Sequence, residues 1–184
     1  MVSCLVGSEM CIRDSNIPVT QTVMGYSTMK KDHSHFVGPI GGLGGKAANN
    51  LAKETDLAIC IGTKLADFTT GSWANFENPE FKLVSINIAR HDANKHLAEA
   101  VIGDAKVTLT ELSNAIGNWK SSDNWHKKSQ DELKSWNEYV DKESGPTNQE
   151  LPSYAHAVGA IYRNSDPTDI AVTAAGGLVG EVVQ

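Results

Sequence analysis

The sequence predicts an α/β fold built on a parallel sheet. Leu57–Ile61 is a short apolar run that Gly62 ends, and residues 83–88 form a second such run. Short continuous apolar runs between turn residues are typical of strands buried on both faces of a parallel sheet. Helical patterns alternate with these runs. That alternation predicts a Rossmann-like arrangement with right-handed crossovers.

Hydrophobic periodicity, capping residues and turn residues predict the elements in order along the chain. Residues 20–37 are polar and irregular, and a glycine-rich stretch at 38–45 leads into a helix at 46–55. The apolar face of that helix is predicted to consist of Ala47, Ala48, Leu51 and Ala52. After the strand Leu57–Ile61 the sequence predicts a loop at 62–80, a strand at 83–88, a short helix at 91–98 and a short strand at 100–102. A helix then begins at Asp104 and stops at Gly117, and its predicted inward side chains are Val107, Leu109, Leu112 and Ile116.

The chain divides into four segments by composition. Residues 1–15 differ from the rest and resemble translated adapter sequence, so they are interpreted as a non-native run-in. Residues 16–117 form the first α/β unit, which is incomplete at its start. Residues 118–150 are a polar linker with a helix at about 123–142, and Trp119, Trp125 and Trp136 are expected to be packing anchors. Residues 151–184 begin a second α/β unit.

The second unit is predicted to open with a helix and a strand. Ser153 is the expected N-cap of the helix, and Val158, Ile161 and Tyr162 form its expected inner face. Residues 169–173 are the expected first strand, and residues 174–178 the turn that follows it.

Bulk composition indicates a soluble, cytoplasmic protein. Of 184 residues, 40% are hydrophobic and 21% charged, and no apolar stretch reaches the about 20 residues that span a bilayer. The net charge of −6, without a run of Lys or Arg, argues against nucleic-acid and anionic-membrane partners. Three cysteines lack metal-ligand spacing and fit a reducing compartment. Of these, Cys60 is read as a small buried hydrophobe.

The glycine-rich stretch 38–45 does not match either standard phosphate-binding motif. Ile40 and Ala47 stand where a Walker loop needs Gly and a hydroxyl residue, and residues 42–45 lack the end of the dinucleotide fingerprint. Close chain approach is the favoured explanation for the glycines. Contact with a ligand or a neighbouring domain stays open as the alternative.

Other polar residues give weaker indications. Lys64 and Asp67 follow the predicted strand Leu57–Ile61 and form the best-placed polar pair, although a loop ion pair or hydrogen bonds that hold the turn are the commoner explanation. His33 and His35 lie two residues apart without a completing ligand, so no metal site is assigned. Asp104 is read as an ordinary helix N-cap.

The order of several short motifs resembles a known family. These are Asp32-His33, the 38–45 run, Ala48-Asn49, Gly62-Thr63-Lys64, residues 67–74, Ser85-Ile86-Asn87, Gly103-Asp104-Ala105 and residues 174–181. Over residues 16–184 this order is similar to the central domain and the following segment of thiamine-diphosphate enzymes of the acetohydroxyacid synthase type. Residues 67–74 and 174–181 are most similar to a branch of C–C bond hydrolases that acts in inositol catabolism.

The resemblance implies that the chain is a fragment of a larger enzyme. Members of the family use thiamine diphosphate and Mg²⁺, and Gly176, Gly177 and Leu178 stand where the family's loop approaches the cofactor diphosphate. The activating Glu and the metal-binding Gly-Asp-Gly motif are absent from this sequence, and Gly103-Asp104-Ala105 is not that motif. No catalytic or metal-binding residue is therefore assigned, and the chain alone is expected to be inactive.

The resemblance also implies a cyclic diketone substrate and a homodimeric or homotetrameric full-length enzyme. Two alternatives stay open. One is a fragment of an acetohydroxyacid-synthase-like carboligase or decarboxylase. The other is a non-catalytic α/β module that binds a nucleotide.

Overall fold

The computed structural model describes residues 15–26, 28–166, 168–173 and 176–183. The strands are β1 (Val19–Gln21), β2 (Phe36–Pro39), β3 (Leu57–Ile61), β4 (Lys82–Asn87) and β5 (Glu99–Ile102). The helices are α1 (Lys46–Glu54), α2 (Asp67–Thr70), α3 (Arg90–Ala93), α4 (Ala105–Ile116), α5 (Asp123–Glu143), α6 (Tyr154–Asn164) and α7 (Gly177–Val183). Short 3-10 turns lie at Val23–Gly25 and Lys95–Leu97. Within these residues the α/β class with parallel pairing is confirmed.

The described strands form two parallel sheets. One sheet pairs β1 with β2, and the other has the order β3-β4-β5. In the second sheet Ile61 lies opposite Ile86, and Asn87 lies opposite Ile102. Since all three strands run the same way, their carboxyl ends meet at one edge of the sheet. The loop after Gly62 starts at this edge, as predicted.

The prediction that Leu57–Ile61 is buried on both faces is wrong. Leu57 is 46% exposed and Ile61 is 42% exposed, because β3 lies at an edge of its sheet in the described part of the chain. The central strand is β4, where Ser85, Ile86 and Asn87 are all buried. An apolar run shows that a strand forms, but its place in the sheet depends on partners elsewhere in the chain.

A strand forms where the sequence predicted irregular chain. Residues 36–39 form β2, which pairs with β1 and leads directly into the glycine-rich segment. This strand is short and contains Gly38 and Pro39, so its propensity signal was weak. The segment 38–45 therefore does follow a strand and precede a helix.

The core of the first unit lies between β2 and α1. Its buried members are Val37, Ile40, Ala48, Leu51 and Ala52, and Phe76 and Trp125 pack against them from loop and linker. The apolar face predicted for α1 is therefore confirmed.

The linker helix is confirmed and packs on the first unit. Ser122 caps α5 by accepting a hydrogen bond from the N–H of Trp125. The ring of Trp136 lies so close to Gly45 that a Cβ there would be 2.9 Å from its Nε1. Trp119 is instead exposed, so the expectation that all three linker tryptophans pack is wrong for it.

The helix caps are as predicted, but the two predicted inner faces are confirmed only in part, since Leu109, Leu112, Ile116 and Val158 are half-buried. Asp104 caps α4, and Ser153 caps α6 in a capping box with His156. Val107 on α4 is exposed, and Ile161 and Tyr162 on α6 are 60% and 80% exposed. Capping depends on adjacent residues, whereas an inner face needs a neighbour to cover it, and no described element covers these side chains.

The predicted strand at 169–173 is wrong in this structure. These residues are exposed and lie outside any strand. The preceding turn closes on itself, since the Asp166 carboxylate accepts hydrogen bonds from the N–H and hydroxyl of Thr168. A single extended segment without a neighbouring strand has no partner for the backbone hydrogen bonds that define a strand. Residues 174 and 175 of the predicted turn lie outside the described residues, as do residues 1–14 of the predicted run-in.

Candidate functional site

The glycine-rich segment 38–45 packs directly on the loop that follows β3. The N–H of Gly42 donates to the carbonyl of Phe68 at 2.7 Å. Gly41 has φ +110°, and a Cβ there would collide with that carbonyl and lie 2.9 Å from the Cα of Thr69. Close approach of two chain segments therefore explains why residue 41 is a glycine. Of the two explanations for the glycines that the sequence left open, this is the one that it favoured.

An asparagine pair holds these two loops together. The Asn49 side chain accepts from the N–H of Gly41 at 2.9 Å and donates to its carbonyl at 3.0 Å. The Asn75 side chain donates to the same Asn49 oxygen at 3.1 Å. Asn75 is buried and Asn49 is part-buried, so water has little access to either amide. These bonds therefore supply the hydrogen-bond partners that water would otherwise provide. Asn75 was not singled out from the sequence, and no spacing rule connects it with Asn49.

The loop at 67–74 is a compact turn with a buried threonine at its centre. Helix α2 ends at Gly71, whose φ of +58° is left-handed. Thr70 is 0% exposed, and its hydroxyl accepts from the N–H of Trp73 at 3.3 Å. A Cβ on Gly71 would lie 3.2 Å from the side chain of Asn75. The motif therefore shapes the contact with the glycine-rich segment.

Lys64 and Asp67 are not brought together. The ion pairs of the described residues do not join them. Lys64 instead acts on Asp92 of α3. The pKa of the Asp92 carboxyl is lowered, first by the hydrogen bond from Lys95 and further by the charges of Lys95, Lys64 and His91. Lys95 lies 2.7 Å from the carboxylate.

Asn87 of β4 and His96 of the turn Lys95–Leu97 hold the loop at the carboxyl edge by hydrogen bonds. The Asn87 amide donates to the carbonyl of Thr63 at 3.1 Å, and its oxygen accepts from the N–H of Ala89 at 2.9 Å. A ring nitrogen of His96 lies 3.2 Å from the carbonyl of Leu65. His96 is exposed, yet its ring packs edge-on against that of Trp73, with the ring centroids 4.3 Å apart.

An open pocket lies beside the Trp73–His96 ring pair. It has a volume of about 590 Å³ and is lined by Trp73, Phe81, Lys82, Leu83, His96, Leu97 and Glu99. Lys82 and Glu99 are the first residues of β4 and β5, so part of the lining comes from the amino ends of these strands. The carboxyl edge was the predicted place for a ligand, and the pocket adds Trp73 and His96 from the loop region to residues at the amino ends of the strands.

Three histidines lie together although the sequence pointed to only two. The ring centroids of His33 and His35 are 5.7 Å apart, and those of His35 and His126 are 4.7 Å apart. Among the described residues, no group of three or more His, Cys, Asp or Glu side chains is arranged to hold a metal ion. His126 comes from α5, and nothing local in the sequence links it to the other two.

Two further side chains have plain structural roles. Burial raises the pKa of the Cys60 thiol to about 11, which keeps it protonated at neutral pH. The Asp104 carboxylate accepts from the N–H groups of Lys106 and Val107 at 2.9 and 3.1 Å, so it serves as the predicted N-cap.

The predicted cofactor-contacting residues lie at the start of α7. Gly176 is exposed and has open space where a side chain would be, and Gly177 is the first residue of the helix. A Cβ on Gly177 would lie 3.1 Å from the ring of Tyr154, so α6 and α7 approach closely there. Leu178 is 36% exposed. No helix in the described part of the chain is both long and apolar enough to cross a membrane.

The parallel α/β unit matches a known family. The profile described as "Thiamine pyrophosphate enzyme, central domain" covers residues 10–112, and the chain belongs to that family.

The chain is also similar to curated relatives. A 3D-(3,5/4)-trihydroxycyclohexane-1,2-dione hydrolase of Clostridium perfringens is 32% identical over 91% of this chain and 30% of its own length. A Bacillus anthracis protein of the same name is 32% identical, with the same coverage of both chains. A third relative, hydrolase 2 of that name from Bacillus cereus, is 46% identical over 54% of this chain and 16% of its own length. The chain therefore spans less than a third of the length of these relatives.

Proposed function

We propose that the chain is part of a thiamine-diphosphate-dependent hydrolase that opens the ring of 3D-(3,5/4)-trihydroxycyclohexane-1,2-dione. The product is 5-deoxy-glucuronate, and the reaction belongs to myo-inositol catabolism. The observation that carries the proposal is the similarity to relatives of that name over 91% of the chain, together with the family match. The family membership of residues 10–112 supports thiamine diphosphate as the cofactor of the whole enzyme.

In this proposal residues 16–117 form the later part of a central domain and support the catalytic machinery rather than supply it. The packing of 38–45 against 67–74 favours this role, because the glycines meet protein backbone there. Residues 118–150 connect to a cofactor domain that begins at 151–184. Helix α5, which packs on the first unit, holds that connection in place.

Gly176, Gly177 and Leu178 are the proposed contacts to the cofactor diphosphate. The first N–H groups of a helix have no acceptor within the helix, and such groups favour anions. Gly176 and Gly177 are exposed, and Gly176 presents no side chain between its backbone and a ligand. When bound, thiamine diphosphate supplies the carbanion chemistry for breaking the ring bond. Mg²⁺ would be held by residues other than those described.

We further propose that the full enzyme is a cytoplasmic homodimer or homotetramer that acts on a small-molecule diketone. The test begins with the reading frame that surrounds this sequence. The extended protein should contain an activating Glu upstream and a Gly-Asp-Gly motif with a downstream Asn. With thiamine diphosphate and Mg²⁺ it should hydrolyse the cyclic diketone, and the 184-residue chain should show no turnover.

The competing outcomes are distinct. Turnover of pyruvate without turnover of the diketone would replace the proposal with a carboligase or decarboxylase. A reading frame without either motif would refute an enzyme of this class. For the cofactor contact, Gly177→Ala in the extended protein should weaken thiamine diphosphate binding, measured by calorimetry, while Gly180→Ala on the same helix should not.

A further inference from the structure

Two short connections of the second sheet form most of the pocket beside the Trp73–His96 ring pair. Trp73 and Phe81 belong to the connection between β3 and β4, and His96 and Leu97 belong to the connection between β4 and β5. The helices in these connections, α2 and α3, have only four residues each. Since four residues make about one helical turn, these helices cover little of the sheet, and an opening of about 590 Å³ remains.

The aromatic wall of the pocket is held in place by contacts between rings. The ring of Phe81 stacks on that of Phe76 with centroids 4.6 Å apart, and the Phe76 and Trp73 centroids are 5.3 Å apart. Trp73 in turn packs against His96, and a ring nitrogen of His96 lies 3.2 Å from the Leu65 carbonyl. Each ring is therefore positioned by its neighbours before anything binds. Aromatic side chains that are already positioned offer a large contact area at a small entropic cost.

Backbone strain is concentrated at this pocket. Ser72, Trp73, His96 and Leu97 have φ values between +52° and +70°, in the left-handed region that non-glycine residues seldom adopt. Strain of this kind clusters at sites where a protein binds something. Leu97 is in addition fully exposed. Packing within the described residues leaves this apolar side chain in solvent, so a binding partner is needed to bury it.

The pocket also carries one charge of each sign. Lys82 and Glu99 both line it, and both are exposed. Neither side chain takes part in an ion pair within the described part of the chain. Leu83 lines the same pocket and is buried, so it forms an apolar base. An apolar recess, an exposed apolar side chain at Leu97 and two opposite charges therefore lie together on one surface.

We propose that this surface binds a second copy of the chain in a symmetric pair, in which Leu97 of each protomer enters the pocket of its partner. In a two-fold contact the same patch meets itself, so a patch with both a recess and an exposed apolar side chain is complementary to its own copy. The same symmetry brings Lys82 of one protomer to Glu99 of the other, and the reverse, so both charges are compensated. A ligand with one charge or none would leave part of the surface unmatched. The contact does not depend on the cofactor or the reaction proposed above, so its failure would leave that proposal intact.

Sedimentation velocity of the full 184-residue chain measures the association and its charge dependence. Lys82→Glu gives the surface two acidic groups, and Glu99→Lys gives it two basic groups. Each variant alone should associate at least about tenfold more weakly than the parent, because like charges meet across the two-fold axis. An equimolar mixture of the two variants should recover the association, since each acidic surface then meets a basic one. A mixture that associates as weakly as the separate variants would overturn the proposal.

A second pair of variants tests the apolar part of the contact. Leu97→Asp should weaken the association at least about tenfold, because it places a charge in the apolar pocket of the partner. Met24→Asp is the matched control, since Met24 is an almost fully exposed apolar residue that does not line the pocket. The control should associate as the parent does, and circular dichroism checks that each variant is folded. An equal effect of the two variants would refute the assignment to this surface. A parent chain that stays monomeric at about 0.1 mM would refute the self-contact and leave the pocket to a different occupant.

Discussion

The side chain of Asn49 binds both backbone polar groups of Gly41, with its oxygen 2.9 Å from the N–H and its nitrogen 3.0 Å from the carbonyl. This pair of bonds fixes the glycine-rich segment at the start of α1. It also presents Gly41 to the backbone of Phe68, so one asparagine helps to join two segments that are distant in sequence. The first two predictions test this contact.

Gly41→Ala should destabilise the protein by about 3 kcal/mol, because the new Cβ meets the Phe68 carbonyl at a positive φ. Urea unfolding, followed by circular dichroism, measures the change. Gly38→Ala is the matched control, since Gly38 also has a positive φ (+91°) but open space around a Cβ. The control should cost only about 1 kcal/mol. Equal losses in the two variants would contradict the close-contact explanation.

Asn49→Ala should cost about 2–3 kcal/mol, because it leaves the N–H and carbonyl of Gly41 and the amide of Asn75 without their partner. The free energy of unfolding is again the measurement. Asn50→Ala provides the control on the same helix, where the side chain makes a single bond to Glu132. That control should cost less than about 1 kcal/mol.

Cys60 should react slowly with thiol reagents in the folded protein. Its pKa is raised from 9.0 to about 11 by burial, so the thiolate fraction at pH 8 falls about a hundredfold relative to the unfolded chain. The rate of modification is compared with and without denaturant in a Cys4→Ser/Cys11→Ser background. A folded rate within about threefold of the unfolded rate would contradict the raised pKa.

The same pKa shift has a definite sign for stability. The unfolded thiol loses its proton above about pH 9, and the folded thiol keeps it until about pH 11. The contribution of Cys60 to stability is therefore present below pH 9 and decreases between pH 9 and 11. Comparing the unfolding free energy of Cys60→Ala with that of the parent across this range isolates the effect from other groups that titrate there.

Trp125→Ala should destabilise the first unit by about 2–3 kcal/mol, since Trp125 packs against the core of β2 and α1. Thermal unfolding with calorimetry measures the loss. Trp119→Ala removes an exposed indole and should change stability by less than about 0.5 kcal/mol. If both variants behave alike, α5 is not part of the folded core.

Much of the local structure was predictable because its signals lie between adjacent residues. Asp104 and Ser153 cap helices whose first N–H groups are two or three positions away. The 3.6-residue period of α1 placed its apolar face correctly. The family resemblance likewise depended on short motifs, each of which is a run of consecutive residues. These features do not require knowledge of what packs against them.

The candidate site was less predictable because its contacts join distant segments. Asn75 meets Asn49, and His126 meets His35, without any spacing rule that relates them. The sequence paired Lys64 with Asp67 because of their positions. In the structure the charge of Lys64 instead contributes to the lowered pKa of Asp92. Which of these side chains come into contact depends on how the folded chain packs.

The sequence by itself determined the α/β class, the order of most strands and helices, the helix caps and the family. Tertiary structure alone decided that Leu57–Ile61 is an edge strand and that β2 precedes the glycine-rich segment. It also showed that residues 169–173 remain outside a sheet. The physical reason is that caps and helical periods are satisfied within a few residues. A strand, by contrast, takes its hydrogen bonds and its burial from partners that only the folded chain brings to it.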